Sequence, residues 1–343
     1  MYSALILALA QQAESADATP LWPAASWDAI REAGALQWAI PAEYGGAGLT
    51  SGELYQAYQE LAGGCLTTCF ILSQRDAAAR RIREFGHEEL RRELLRPLAC
   101  GGKFATVGLS QLTTSRQHSL PPLLARPSGD GFVLEGVIPW VSGAAEADYL
   151  VIGAALDDGR QLLAVLPTDT RGVSVGPPLD LMALRGSITA EVRCEQVQLE
   201  RRWLLAGPSE RILSGGRGAG GLETSALALG LAATAINFLE GEASQRPPLR
   251  PAAERLCVTH AALCQELDRL AGGTAGSDAA AVLRARANAL VLRATQAVLT
   301  ASKGTGFVRP HPAQRWARQA LFFLVWSCPQ PALEATLAEI IPE

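Results

Sequence analysis

The sequence predicts a multidomain α+β protein with a helical N-terminal domain, a small central β-sandwich or barrel domain and a C-terminal four-helix bundle. Residues 1–103 carry apolar side chains at three- and four-residue spacing, which indicates amphipathic helices. Residues 104–207 contain short β-branched or aromatic segments bounded by Gly, Pro, Asp and Ser, which indicate strands. Long helical patterns return in residues 208–343. This α–β–α order, without β–α–β alternation, argues against a Rossmann fold.

In the N-terminal domain, turn residues separate the predicted helices. The pattern of Leu54, Tyr58 and Leu61 is typical of one such helix. Pro41 and the glycines of 45–48 predict a loop before it. Ser26, which precedes Trp27 and Asp28, is the predicted N-cap of an earlier helix.

The central domain shows three clear strand candidates and one hairpin turn. The candidates are residues 132–135, 149–152 and 162–166. The sequence Ser128-Gly129-Asp130-Gly131 is a strong hairpin signal because its Gly and Asp residues adopt positive φ angles more readily than most others.

The C-terminal domain is predicted to hold four long helices and one short one. The expected ranges are 209–243, 252–271, 278–302, 313–326 and 331–340. The connections are short, so neighbouring helices are expected to be antiparallel, as in a bundle.

Composition excludes several classes of function. A net charge of −4 with a pI near 5.7 gives no basic patch for nucleic acid. No apolar run approaches the roughly 20 residues of a membrane span, so no membrane partner is expected. Seven scattered cysteines fit a reducing, cytoplasmic compartment. The apolar start of the chain lacks the basic residues of a secretory signal.

Two local motifs have simpler structural interpretations. Residues 216–221 match G-x-G-x-x-G, but no strand precedes them, so a flexible helix entry is favoured over a nicotinamide site. Cys257, His260 and Cys264 share a helix face, but a fourth ligand is not evident, so no metal site is expected. The four histidines have no obvious Ser or Cys partner, which disfavours a hydrolytic triad.

Five strings, in the right order along the chain, resemble the acyl-CoA dehydrogenase superfamily. They are Trp27-Asp28 with the loop from Ile40 to Leu49, Asp130 to Gly136, Trp140 to Ala144, Leu184 to Ser187 with Val197, and Gly304 to Phe307 with Pro312 and Arg318. Each string alone is weak, and their shared order makes the resemblance specific. The resemblance implies the same three-part fold, an acyl-CoA or related small-molecule substrate, and a homodimer or homotetramer.

The resemblance also implies an FAD site between the β-domain and the bundle, completed by a second subunit. Trp140 occupies the position whose indole covers one flavin face, and Ser142 the position whose hydroxyl donates to flavin N5. Ser110 and the backbone of Val107 fall where the family holds the pyrimidine edge of the flavin.

Other cofactor positions depart from the family pattern. The loop after Ser110 has lost the family's glycines, which allow close backbone approach. Arg246, followed by two prolines, is the candidate to replace the family arginine that reaches the neighbouring subunit's FAD. Thr300 stands where the family has Gln before its glycine loop, of which Gly304 remains and Lys303 replaces the first glycine.

Both positions that carry the catalytic glutamate in family members are occupied by other residues. Ser327 stands at the usual position, and Gly220 at the alternative position on the first long bundle helix. Glu223 lies three residues beyond Gly220, about one helical turn, and is the candidate substitute base. In the competing interpretation, Glu223 is a first-turn residue that favours the helix dipole.

Three functions remain open at this point. The first is an FAD-dependent oxidoreductase acting on the CH–CH bond of an acyl thioester with an impaired or displaced base. The second is a flavin-dependent monooxygenase of the same fold, which needs no such base. The third is a non-catalytic homologue with weak or no FAD binding.

Overall fold

The computed structural model describes residues 2–113, 123–210, 212–213, 221–273, 277–326 and 330–341. Helices, then a β-sheet domain, then helices follow one another along the chain, which confirms the predicted fold class.

The N-terminal domain is built from five helices within the described residues. They are α1 Ser3–Ala18, α2 Ala24–Glu32, α3 Ser51–Gly64, α4 Leu66–Phe85 and α5 Glu88–Cys100. Thr50 caps α3: its hydroxyl accepts from the Glu53 N–H, and the Glu53 carboxylate accepts from the Thr50 N–H.

The predicted N-cap role of Ser26 is wrong. Helix α2 begins three residues earlier than this prediction, at Ala24, with Pro23 at the N-cap position. Ser26 is buried within the helix, and the carbonyl of Pro23 accepts the first helical hydrogen bond, from the Trp27 N–H at 2.9 Å, so the helix starts before Ser26.

The predicted loop around residues 41–48 is confirmed. Gly45 has a φ of +83°, a conformation that favours glycine. At Gly46, a Cβ atom would lie 1.8 Å from the carbonyl oxygen of Ile40, so no larger residue fits there.

The central domain is an eight-stranded sheet within the described residues. Its strands are β1 Ala105–Gly108, β2 Leu123–Ser128, β3 Gly131–Val141, β4 Tyr149–Ala155, β5 Gln161–Pro167, β6 Val173–Pro178, β7 Ala190–Leu199 and β8 Leu204–Ser209. The strand order is β6-β7-β3-β2-β4-β5-β8, and β1 pairs in parallel with β4. Ser128 pairs with Gly131 across the β2–β3 turn, which confirms the predicted hairpin. A short helix, α6 Ser110–Thr113, follows β1.

The C-terminal helices are α7 Leu222–Gln245, α8 Arg250–Ala271, α9 Ser277–Gly306, α10 Pro312–Phe322 and α11 Gln330–Ile340. The predicted helix start at 209 is wrong, because β8 extends to Ser209 through pairing with Gln161 and α7 starts at Leu222. Helix α9 is interrupted at Lys303, whose φ of 53° and ψ of −148° are not helical.

Helix α7 alone among the described helices is long and apolar enough to span a membrane, and 72% of its most apolar stretch is buried inside the protein. Its neighbours α3, α8 and α9 pack around it. A helix at the centre of a bundle is as apolar as a membrane-spanning helix. The burial of α7 within the bundle therefore accounts for its apolar character.

Helix α4 joins the two hydrophobic cores of the protein. Phe70 and Leu72 belong to the core shared by the N-terminal helices and the bundle, whereas Ile71 and Ile82 belong to the core under the β-sheet. The boundary between sheet and bundle therefore runs along α4, and it leaves space for a cavity.

Candidate functional site

A cavity of about 730 Å³ lies where α4, the β-domain and the bundle meet. One α4 face lines it with residues at helical spacing: Phe70, Ser73, Gln74, Ala77, Arg80 and Arg81. The first turn of α7, the segment 181–189 and the residues from Arg318 to Trp326 complete the walls. A cavity of this size between domains is typical of a small-molecule site.

Five of the predicted site residues meet in this cavity. Val107 and Ser110 border it at the end of β1 and the start of α6, Trp140 and Ser142 at the end of β3, and Glu223 from α7. The side chain of Trp140 is 52% exposed. Trp140 is therefore not a core aromatic of the sheet, and its indole is available to a ligand.

Ser142 belongs to a chain of three buried hydroxyl groups. Its Oγ lies 2.9 Å from Oγ1 of Thr189, and that atom lies 2.8 Å from Oγ of Ser187. If Ser187 donates to Thr189 and Thr189 donates to Ser142, the Ser142 hydrogen is left to point into the cavity. The chain can therefore present a hydrogen-bond donor at a fixed place.

Three predicted cofactor residues lie outside the cavity. Arg246 forms an ion pair with Glu242, and its Nη1 donates to the Ala301 carbonyl at 2.8 Å. Thr300 is exposed, and its hydroxyl donates to the carbonyl of Gln296. Gly304 is exposed as well. Within one chain these residues do not join the five residues at the cavity.

Two predicted positions of the catalytic base lie outside the described residues. These are Ser327 and Gly220. Their sequence neighbours Trp326 and Gly221 are described, and Trp326 lines the cavity.

Glu223 is the only carboxylate among the described residues that line the cavity. It forms an ion pair with Arg80, and the two side chains are 22% and 23% exposed. Burial alone raises the pKa of Glu223, but Arg80, a backbone N–H and Arg81 together bring that pKa below its ordinary value. The carboxylate is therefore ionised at neutral pH and is a weak proton acceptor.

Sequence reasoning assigned no site role to the cationic residues of the cavity, although Arg318 belongs to one of the family strings. Burial opposes the charge of Arg80, yet Glu223 and nearby Tyr58 and Tyr55 leave the Arg80 pKa above its ordinary value. Arg318 lies on the cavity wall and pairs with the buried Asp17 at 2.8 Å. Helical spacing was the signal that the sequence offered. It places Arg80 and Arg81 on the same face of a helix as Phe70, Gln74 and Ala77.

An aromatic group closes another part of the cavity wall. The ring centroid of Phe70 lies 5.0 Å from those of both Phe322 and Trp326. Phe322 and Trp326 stack on each other at 5.2 Å. The cavity thus combines an apolar wall with a charged group carried on the same helix, α4.

The cysteine and histidine residues of α8 have protein partners. Cys257 donates to Glu240 at 3.0 Å, and Cys264 donates to Gln59 at 3.2 Å. A ring nitrogen of His260 lies 3.1 Å from the carbonyl oxygen of Leu229. Across the described part of the chain, no group of three or more His, Cys, Asp or Glu is arranged to hold a metal ion.

The chain is similar in sequence to several known proteins. The acyl-CoA dehydrogenase N-terminal domain model matches residues 6–102. The probable acyl-CoA dehydrogenase YngJ of Bacillus subtilis is 29% identical over 250 residues, which cover 69% of this chain and 65% of YngJ. The human mitochondrial short-chain specific acyl-CoA dehydrogenase is 27% identical over 329 residues, which cover 90% of this chain and 80% of that protein.

A solved structure shares the whole fold. Butyryl-CoA dehydrogenase from Megasphaera elsdenii has a TM-score of 0.85 and 20% identity, with 99% of this chain and 97% of that chain covered. Residues 6–102 thus match the N-terminal domain of the acyl-CoA dehydrogenases, and the whole chain shares the fold of a member of that superfamily.

Proposed function

We propose that this protein is an FAD-binding, acyl-CoA dehydrogenase-like oxidoreductase that acts on the CH–CH bond of an acyl thioester with a displaced, weak base. One observation carries the proposal: Trp140, Ser142, Ser110 and Val107 border the same cavity as the carboxylate of Glu223. The similarity in sequence and fold to acyl-CoA dehydrogenases supports the choice of cofactor and substrate class.

The residues at the cavity fit the ring system of a flavin. Trp140 offers an exposed aromatic face on which a flat ring can stack. With Ser187 donating to Thr189 and Thr189 donating to Ser142, the hydroxyl chain presents the Ser142 hydroxyl as a donor for a ring nitrogen. Val107 and Ser110 border the cavity where the ring edge would lie. When bound, FAD would supply a two-electron acceptor for the hydride that leaves the substrate β-carbon.

Glu223 is the proposed proton acceptor for the substrate α-carbon. It lines the cavity and is ionised, so it meets the requirement of reach and protonation state. Arg80 holds the Glu223 pKa low, however, and a general base is most effective with a pKa near the working pH. We therefore expect slow proton removal compared with an enzyme whose glutamate is unpaired.

The monooxygenase and the non-catalytic homologue are the alternatives. The relatives described above do not favour either of them. The Glu223 carboxylate in the cavity supports dehydrogenation over both, because neither alternative requires a base there.

We also propose that the protein is cytoplasmic and assembles as a homodimer or homotetramer. The cysteines of the described residues are free thiols, in line with a reducing compartment. Assembly would bring Arg246, Thr300 and Gly304 of one subunit to the cofactor of another, because they lie away from the cavity of their own chain. Light scattering during gel filtration would measure the assembly state.

The test of the proposed function is spectroscopic. The purified protein, after incubation with FAD and desalting, should keep a flavin absorbance spectrum, and anaerobic addition of butyryl-CoA should bleach it. Retention of flavin without bleaching by any acyl-CoA would support the monooxygenase instead. Failure to retain flavin would support the non-catalytic homologue.

A further inference from the structure

Among the described residues that line the cavity, positively charged side chains outnumber negatively charged ones. Three cations, Arg80, Arg81 and Arg318, face one carboxylate, Glu223. Asp17 sits behind the wall and offsets Arg318 through a 2.8 Å ion pair. Glu223 offsets Arg80. Arg81 remains as the surplus cation.

Arg81 has weak partners within the described residues. Its Nη1 donates to the carbonyl of Ala77 in its own helix at 3.1 Å, and its Nε is buried without a hydrogen-bond partner. No described carboxylate lies within 4.0 Å of its guanidinium. Burial and the neighbouring Arg80 lower the pKa of Arg81 to about 10, and Glu223 and Glu84 offset that shift in part. Arg81 nevertheless stays protonated at neutral pH.

A ligand that fills the cavity changes the environment of this cation. Water that solvates Arg81 is displaced, and a neutral ligand leaves the charge with no partner in a medium of low polarity. A ligand with an anionic group replaces the lost water with a charge-assisted hydrogen bond. The N-terminus of α7, which begins at Leu222 beside Glu223, adds further positive potential to the same end of the cavity.

The cationic end is distinct from the aromatic end. Phe70 and Arg81 are eleven positions apart on α4, which corresponds to about 16 Å along the helix axis. Phe70 contacts the rings of Phe322 and Trp326, so the apolar part of a ligand has its own wall. A ligand with both an apolar part and an anionic group matches this division.

We propose that the cavity selects an acyl thioester whose acyl group itself carries an anion, a carboxylate that pairs with Arg81. This inference rests on the proposed function, and it adds the substrate class. Arg80 is shared with Glu223, so Arg81 is the specificity-determining residue.

The test compares ligands that differ only in the terminal group. Titration calorimetry of the full chain loaded with FAD would use ω-carboxyacyl-CoA esters of four to six carbons and the unsubstituted acyl-CoA esters of equal length. We expect at least one carboxyl-bearing ester to bind about 10-fold or more tightly than its uncharged counterpart. Equal affinity throughout the series would overturn the proposal.

Three variants connect the preference with Arg81. Arg81→Gln should reduce the preference to less than about 3-fold, whereas Arg81→Lys should retain most of it because the charge remains. Arg83→Gln is the matched control, since Arg83 carries the same charge on an exposed face of α4 and should leave the preference unchanged. A preference that survives Arg81→Gln in a folded protein contradicts the proposal.

Three outcomes separate a failure of the substrate class from a failure of the proposed function. If Arg81→Gln weakens the binding of free CoA as much as the binding of the carboxyl-bearing ester, Arg81 binds a phosphate of CoA and the proposed substrate class is wrong. If unsubstituted esters bleach the flavin and bind as tightly as the charged ones, the proposed function stands and the substrate class is wrong. If no thioester binds, both fail.

Discussion

The guanidinium of Arg80 and the carboxylate of Glu223 form an ion pair across the cavity, although 143 positions separate them in sequence. The pair joins α4 of the N-terminal domain to the first turn of α7. It also sets the protonation state of the only carboxylate on the described cavity wall. Removal of the cation should therefore change the chemistry of the carboxylate.

Replacement of Arg80 by Gln should raise the pKa of Glu223. Burial raises that pKa and Arg80 opposes the effect, so removing the cation leaves burial dominant. In the wild type, flavin bleaching by an acyl-CoA should change little from pH 8 to about pH 5.5, because Glu223 stays ionised above its lowered pKa. In Arg80→Gln the bleaching rate should fall as the pH decreases through this range. Identical pH profiles for the two proteins would show that Arg80 does not control the base.

The free energy of unfolding should also depend on the protonation of Glu223. A carboxyl group whose pKa is lowered in the folded protein stabilises it above the unfolded-state pKa, near 4.5, and loses that contribution as the pH falls. The difference in unfolding free energy between wild type and Glu223→Gln, measured with urea, should therefore shrink below about pH 4.5. A difference that does not depend on pH would contradict the ion-pair assignment.

Replacement of Thr189 by Val should weaken flavin binding. Val removes the hydroxyl that links Ser187 to Ser142, so the Ser142 hydrogen is no longer directed into the cavity. Loss of one such interaction corresponds to a decrease in FAD affinity of roughly 10-fold, measured by flavin fluorescence titration. Thr189→Ser keeps the hydroxyl and serves as the control. If Val and Ser behave alike, the hydroxyl chain does not position Ser142.

Replacement of Trp140 by Ala should separate cofactor binding from stability. The indole is 52% exposed, so its removal should change the free energy of unfolding by no more than about 1 kcal/mol. Flavin retention during desalting should nevertheless decrease, and Trp140→Phe should restore part of it through ring stacking. Full retention of flavin by Trp140→Ala would exclude the indole from the site.

Replacement of Asp17 by Asn should destabilise the fold. Asp17 is fully buried and accepts from the backbone N–H of Leu184 and from Gln319, both at 2.9 Å, while pairing with Arg318. Loss of its charge leaves Arg318 uncompensated at a cost of about 3–5 kcal/mol in urea unfolding. Asp157→Asn is the matched control. Asp157 is 68% exposed and pairs with Arg126 at 3.4 Å, so its loss should cost less than about 1 kcal/mol.

The sequence predicts the features that depend on residues close together along the chain. The hairpin at 128–131 and the loop at 41–48 follow from glycines whose conformation no other residue adopts readily. Trp140 and Ser142 could be placed because the family strings fix their positions on a strand end. The start of α2 was missed because Pro23 and Ser26 both offer plausible starts, and local preference does not decide between them.

Long-range charge pairing could not be predicted from the sequence. A run such as Arg80-Arg81 is usually solvated, and only the approach of α7 to α4 brings Glu223 beside it. Asp17 likewise meets Leu184 and Arg318 from three separate parts of the chain. Helical spacing shows which residues share a face, but tertiary packing determines what that face contacts.

The most direct test of the proposed mechanism is anaerobic flavin bleaching by an acyl-CoA in Glu223→Gln, compared with wild type and with Glu254→Gln. Glu254 is an exposed carboxylate on α8, away from the cavity, and its loss should leave bleaching unchanged. Glu223→Gln should retain flavin and lose bleaching by about 100-fold or more, as expected for removal of a positioned base. Bleaching at the wild-type rate in Glu223→Gln would contradict the assignment of Glu223 as the proton acceptor.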